Sequence, residues 1–131
     1  MERKVLTVEE LLQRYAAGER DFSIVCLDYA DLSGANLAGI DFSHARLRRA
    51  NLSRAILCGA NLSNTDLWRA NLTGANLEGA NIINTCIAGA NLENTNLRGA
   101  IGVFGQANGT FLHNTVWSNG EIIVGPEWID A

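Results

Sequence analysis

The chain has 131 residues, 47% of them apolar, with ten Lys or Arg against 14 Asp or Glu and a formal net charge of −4. That length makes one domain, and so mild a charge excludes a strongly acidic or basic protein. No run approaches the roughly 20 apolar residues needed to span a bilayer, and the first apolar stretch is too short and too amphipathic for a signal peptide.

Residues 1–19 carry Arg3, Lys4 and Arg14 against Glu2, Glu9, Glu10 and Glu19. Thr7-Val8-Glu9-Glu10 is a capping box. Val8, Leu11, Leu12 and Tyr15 follow at helical spacing, and Gly18 stands where a helix C-terminus favours positive φ. The pattern predicts an amphipathic helix over 8–17, lying over the start of the next segment. A helix that binds a partner is the alternative.

From Phe22 to Leu97 every fifth residue is Leu, Phe or Ile: Phe22, Leu27, Leu32, Leu37, Phe42, Leu47, Leu52, Leu57, Leu62, Leu67, Leu72, Leu77, Ile82, Ile87, Leu92 and Leu97. A period of five fits neither a helix nor a strand, so it announces a repeat architecture. A small residue, usually Ala, sits two places before each centre, as in Ala30-Asp31-Leu32-Ser33-Gly34 and Ala70-Asn71-Leu72-Thr73-Gly74. Residues two apart in a short extended segment point the same way. Each unit therefore turns two residues inward and three outward, and must then turn a corner. Gly or Asn often ends the unit, as the positive φ at the third residue of a type II turn favours. Ile24, Tyr29, His44, Arg49, Arg54 and Arg69 break that rule, and the expectation is a different turn type at these six corners.

The pattern falters at Gly102 and Ala107 and returns at Leu112 and Trp117, with Thr110 and Thr115 as the small residues. Asn119-Gly120 between apolar flanks is a hairpin signal. With Val124, Pro126 and Trp128 beyond it, the tail reads as a closing hairpin over one less regular coil, with Trp117 or Trp128 as a lid.

These units resemble the pentapeptide-repeat family, whose consensus is Ala-Asp/Asn-Leu-x-x. The resemblance covers residues 20–101. It implies a β fold, a right-handed quadrilateral parallel β-helix with four units per coil and about four to five coils. It further implies that residues twenty apart stack, and that the source is a cyanobacterial one, where the family is abundant. The organisation expected is a helical N-terminal cap over 1–19, the β-helix over 20–101 and an irregular last coil with a closing segment over 102–131.

Stacking by twenties assigns the outward residues to faces. One face gathers Asp28, Tyr29, Arg46, Arg48, Arg49, Asp66, Trp68 and Arg69. Arg and Trp are enriched at binding hot spots, so Tyr29, Arg46, Arg48, Arg49, Trp68 and Arg69 form the candidate interaction patch. An internal alternative is that Arg46 pairs with Asp66 one coil away and Arg48 stacks on Trp68. Two outward columns, Asp21-Asp41-Asn61-Asn81 and Asp31-Asn51-Asn71-Asn91, are expected to form side-chain ladders along the axis.

Catalysis finds no support in the pattern. His44 and His113 fall on different faces, and no phosphate loop, HExxH or nucleophile elbow is present. No cofactor or metal is implied, since Cys26, Cys58 and Cys86 have no ligand spacing. They read as free thiols of a reducing cytoplasm. The reading is a non-enzymatic structural or protein-interaction module with an unknown protein partner, as a monomer or weak dimer. One alternative, implied by the family, is a DNA-mimic inhibitor of a topoisomerase (gyrase). The repeat block argues against it, because its seven Arg balance seven Asp or Glu, whereas mimicry needs a long negative surface. The other is an anionic-ligand or nucleic-acid binder through the Arg/Trp face, although the neutral block argues against DNA.

Overall fold

The computed structural model describes residues 3–130. Its repeats form a parallel β-helix. Four ladders of single-residue β-bridges, each stepping by twenty residues, run Asp21–Asp41–Asn61–Asn81–Ile101, Cys26–Arg46–Asp66–Cys86, Asp31–Asn51–Asn71–Asn91–Phe111 and Asn36–Ile56–Asn76–Asn96–Val116. Twenty residues therefore make one revolution with four sides.

In a unit that carries Asx before its centre, all five backbone N–H groups can find an acceptor. In the unit centred on Leu52, the Ala50 N–H donates to the Leu47 carbonyl across the corner (3.1 Å). Asn51 donates back to Ala30 (2.8 Å), while Leu52 and Arg54 donate forward to Asn71 (2.7 Å) and Thr73 (2.8 Å). The fifth N–H, on Ser53, donates to Asn51 Oδ1 at 3.0 Å. A buried or half-buried amide left without a partner would be costly. The Asx residue that precedes most centres is thus a structural part of its unit.

That requirement corrects the expected ladders. The Asx residues of both columns, from Asp21 to Asn81 and from Asp31 to Asn91, accept from the amide two residues on within their own units. Among the described residues no side-chain hydrogen bond joins neighbours in either column. Local closure of a two-residue loop outcompetes a contact across coils. One bond of the ladder kind occurs elsewhere, at a corner, from Asn84 Nδ2 to Asn64 Oδ1 at 2.8 Å.

The corners depart from expectation too. From Ile24 to Gly99 every corner residue has φ between 54° and 71°. Ile24, Tyr29, His44, Arg49, Arg54 and Arg69 adopt the same left-handed conformation as the glycines, not a different turn. The reason is tertiary. A corner amide also belongs to the inter-coil network, as Tyr29 N–H to Arg48 O and Arg69 N–H to Ala88 O show (both 2.9 Å). A different turn at one corner would break register with the coil beyond it.

All sixteen centres are at most 3% exposed. Buried Ala residues fill the shallower inward positions, and five Thr replace them further along. The hydroxyls of Thr65, Thr85, Thr95, Thr110 and Thr115 donate to carbonyls 23 residues earlier, at 2.5–2.8 Å. A hydroxyl in a dry column is tolerated because it is bonded.

At the N-terminal end, α1 spans Val8–Ala16 with Thr7 as its N-cap and the capping box complete. Leu11 is fully buried, Val8 and Tyr15 pack on the core, and Leu12 is half-exposed. Tyr15 Oη donates to the Ala38 carbonyl at 2.7 Å. Before the helix, Val5 bridges Cys26, so the chain reaches the first ladder earlier than the repeat pattern indicates.

At the other end, β1 (Phe111–Leu112) and β2 (Thr115–Val116) are met antiparallel by β4 (Glu127–Trp128) and β3 (Ile122–Ile123). The Asn-Gly turn carries φ 88° at Gly120. Trp117 is half-buried beside Phe104, their rings 5.9 Å apart. Trp128 lies on Phe111 and is 62% exposed, so it does not seal the core.

Two substitutions separate the contributions. Leu67→Ala should cost about 2–5 kcal/mol by opening a cavity in the column. His44→Gly removes a left-handed non-glycine at an exposed corner and should raise stability by up to about 1 kcal/mol. Urea unfolding of both variants checks the opposite signs.

Candidate functional site

The face built on Leu27, Leu47, Leu67 and Ile87 has two outward columns past the bridge position. They are Asp28–Arg48–Trp68–Ala88–Asn108 and Tyr29–Arg49–Arg69–Gly89–Gly109. Because the centres and corner amides are fixed, these side chains leave the scaffold at set positions one coil apart.

The half-buried Trp68 indole is the focus. The guanidinium carbons of Arg69, Arg49 and Arg48 lie 4.8, 5.2 and 5.7 Å from its ring centroid, within cation–π range. Arg46 and Tyr29 stay outside this cluster. Arg46 pairs with Asp28 (2.7 Å), and Tyr29, 74% exposed, stands at the corner above Arg49. The structure thus brings together four of the six patch residues.

The ion pairs differ from the sequence expectation. Arg46 turns back to Asp28, while Arg48, not Arg46, takes Asp66 at 2.6 Å. Both pairs raise the guanidinium pKa from its ordinary value, chiefly through the hydrogen bond to the carboxylate. The cause of the exchange lies in the backbone. Arg46 occupies the place where most units carry Asx, so the Arg48 amide lacks its usual local acceptor. Asp28, one coil earlier, supplies it at 3.0 Å and receives Arg46 Nε at 2.8 Å. Asp66 closes its own unit on the Trp68 amide (3.1 Å) and reaches Arg48 Nε. Both acids of the face are therefore committed. Arg49 and Arg69 take part in no ion pair among the described residues.

Below this ledge the columns shrink to Ala88, Gly89, Asn108 and Gly109. The step encloses an open cleft of about 570 Å³ lined by these four and by Arg49, Trp68 and Arg69. Gly89 suits the packing, because a Cβ there would sit 2.9 Å from Arg69 Cγ and the arginine would have to shift. The floor is a part of the site that reading for large residues missed. Its signal is the switch from large to small in both columns after residue 69.

Comparison with known proteins agrees with this architecture. A family model described as Pentapeptide repeats matches in eight copies, over residues 26–64 and 60–99. The chain belongs to the pentapeptide-repeat family. Among similar solved structures, alr5209, a pentapeptide repeat protein from Nostoc PCC 7120, is 38% identical over 76% of this chain and 82% of its own, with a TM-score of 0.72. Rfr23, a pentapeptide repeat protein from the cyanobacterium Cyanothece 51142, is 28% identical over 89% and 83%, with a TM-score of 0.59. HetL, a pentapeptide repeat protein from Nostoc sp. strain PCC 7120 involved in heterocyst differentiation regulation, is 34% identical over 84% and 53%, with a TM-score of 0.42. No curated protein matches the chain significantly.

Elsewhere on this pentapeptide-repeat rod, His113 Nδ1 and Glu93 Oε2 lie 2.7 Å apart, one coil apart on another face. His44 contributes its carbonyl to Arg3. A pocket of about 90 Å³ lies between Ile82, Leu97, Phe104 and Trp117, where Gly102 stands at a centre position. No helix among the described residues is long and apolar enough to cross a membrane.

Asp28→Ala should destabilise more than Arg46→Ala, by about 1 kcal/mol, because it also leaves the Arg48 amide without its acceptor. The order of the two urea midpoints checks this.

Proposed function

We propose that this pentapeptide-repeat chain is a non-enzymatic binding module. In this reading it is a rod of about five coils, closed at one end by α1 and at the other by the returning β3 and β4, and its rigid flanks serve as a scaffold for a protein partner. One observation carries the proposal: Trp68 is held outward among three guanidiniums, of which Arg49 and Arg69 pair with no carboxylate among the described residues. Arg and Trp on a preformed surface are the residue types that dominate interface energetics.

The polar groups outside this face mostly close turns, which leaves little chemistry free for catalysis. A topoisomerase-inhibiting DNA mimic finds no favouring observation. Asp28 and Asp66, the acids nearest the most distinctive surface, neutralise Arg46 and Arg48 and present no phosphate-like array.

The test is affinity capture from a cyanobacterial extract, with wild type compared with the Arg49→Gly/Trp68→Ala/Arg69→Gly variant. A specific protein is expected with wild type and is lost with the variant. Capture that is equal with both places the interface elsewhere and sinks this reading.

A further inference from the structure

The ledge-and-floor cleft raises a narrower question, which rests on the reading above: what chemistry does it accept? Three observations bear on it. The first is charge. Arg49 and Arg69 both lie within about 5 Å of one indole centroid, and the two acids of the face are already paired with Arg46 and Arg48. Among the described residues the cleft therefore carries two positive charges without an ion-pair partner, held close together, and an anion placed between them relieves their repulsion.

The second observation is backbone cost. Arg49 and Arg69 stand at left-handed corners, with φ of 57° and 54°. Gly and Asn, the residues that suit this conformation, occupy most other corners. Non-glycine residues held there are strained, and such strain is a pointer to function when the residues also converge on a surface. Ile24, Tyr29, His44 and Arg54 hold the same conformation; what sets Arg49 and Arg69 apart is that their guanidiniums also converge on one indole.

The third is shape. The Gly89 and Gly109 floor lies below the Trp68 edge and leaves room for an extended chain, with apolar atoms on the indole and carboxylates toward the guanidiniums. A nucleic-acid backbone is disfavoured. It gains from a long row of cations, whereas this cleft offers two, with Asp66 close behind.

We infer that the Arg49–Trp68–Arg69 cleft binds an acidic peptide segment of a partner protein, with Arg49 and Arg69 gripping its carboxylates and Trp68 covering its aliphatic stems. Arg binds carboxylates with paired N–H donors, and the fixed ledge presents both forks at once.

The experiment titrates isotopically labelled full-length protein with hexaglutamate and follows the Trp68 indole N–H resonance, assigned by its loss in Trp68→Phe. Hexaglutamine, inorganic phosphate and a twelve-nucleotide thymidine strand are parallel probes. The comparison variant is Arg49→Gly/Arg69→Gly, whose substitutions suit left-handed corners and so keep the fold. Hexaglutamate is expected to shift the resonance, hexaglutamine to leave it, and the double variant to bind about tenfold more weakly or worse. Affinity should also fall as NaCl rises.

No shift with hexaglutamate at low salt overturns the proposal, as does an equal shift in the double variant. Tighter binding of phosphate or of the thymidine strand assigns the cleft to phosphate and overturns the peptide assignment. Self-association that is lost in the double variant assigns the cleft to a second copy, and this too overturns the peptide assignment. If captured protein depends on these residues while hexaglutamate fails, the binding-module reading stands and only the acidic-peptide inference falls. If hexaglutamate binds and nothing is captured, the reverse holds.

Discussion

The rod depends on the pairing of the backbone amides that recur in every five residues. Two extended residues and a corner supply four of the bonds, three to neighbouring coils and one across the turn, as in the unit of Leu52. The fifth comes from a side chain, the Asx before the centre. Where Asx is missing, the amides of Asp28, Cys58 and Ala88 have no protein acceptor among the described residues, whereas Arg48 finds one. At Leu47 the acceptor is Asp28, one coil away. That bond fixes the position of Asp28, hence of Arg46, hence the pairing of Arg48 with Asp66. The electrostatics of the candidate site descend from a backbone requirement one coil distant.

The same network removes freedom from the corners. In an isolated chain, Ile24 or Arg69 in a left-handed turn would relax to another conformation, since the local cost is about 1–2 kcal/mol. Here each corner amide bonds to the next coil, so relaxation would break bonds on both sides. Cooperativity between stacked units overrides local preference. The corner column is then free to vary in side chain without varying in shape, which makes it a natural place for recognition residues.

The inward half of the structure was legible in the sequence, because a strict spacing of five between Phe22 and Leu97 leaves few ways to bury all sixteen residues. The capping box of α1 and the Asn119-Gly120 turn were legible for the same reason: each is a local chemical pattern. What could not be read was non-local. The positive φ at Arg49 depends on the coil beyond it. The Asx oxygens had two possible partners, a neighbour in the column or their own turn, and composition does not choose between them. Arg46 lies 18 residues from Asp28 and one full coil of twenty from Asp66, and stacking by twenties favoured the wrong one. The pairing of β3 and β4 with β2 and β1 joins elements whose partners no repeat pattern names. At the site, large residues were conspicuous. The cleft, however, is shaped as much by Ala88, Gly89 and Gly109, whose contribution is the absence of a side chain.

Rigidity decides what such a cleft can do. Two guanidiniums on a flexible loop would swing apart, and a ligand would have to gather them at an entropic cost. On this rod the backbone at Arg49 and Arg69 is pinned by bonds to the Trp68 and Ala88 carbonyls, at 2.8 and 2.9 Å. The stem of Arg69 lies over Gly89, with no Cβ beneath it to lift it away. The indole between the two arginines draws their planes toward one ring face or edge rather than out into water. Part of the repulsion between like charges is therefore retained in the free protein, and an incoming anion relieves it. In a fold whose outward Asx side chains are mostly occupied with closing their own turns, this is a place where favourable interaction energy is left to a ligand.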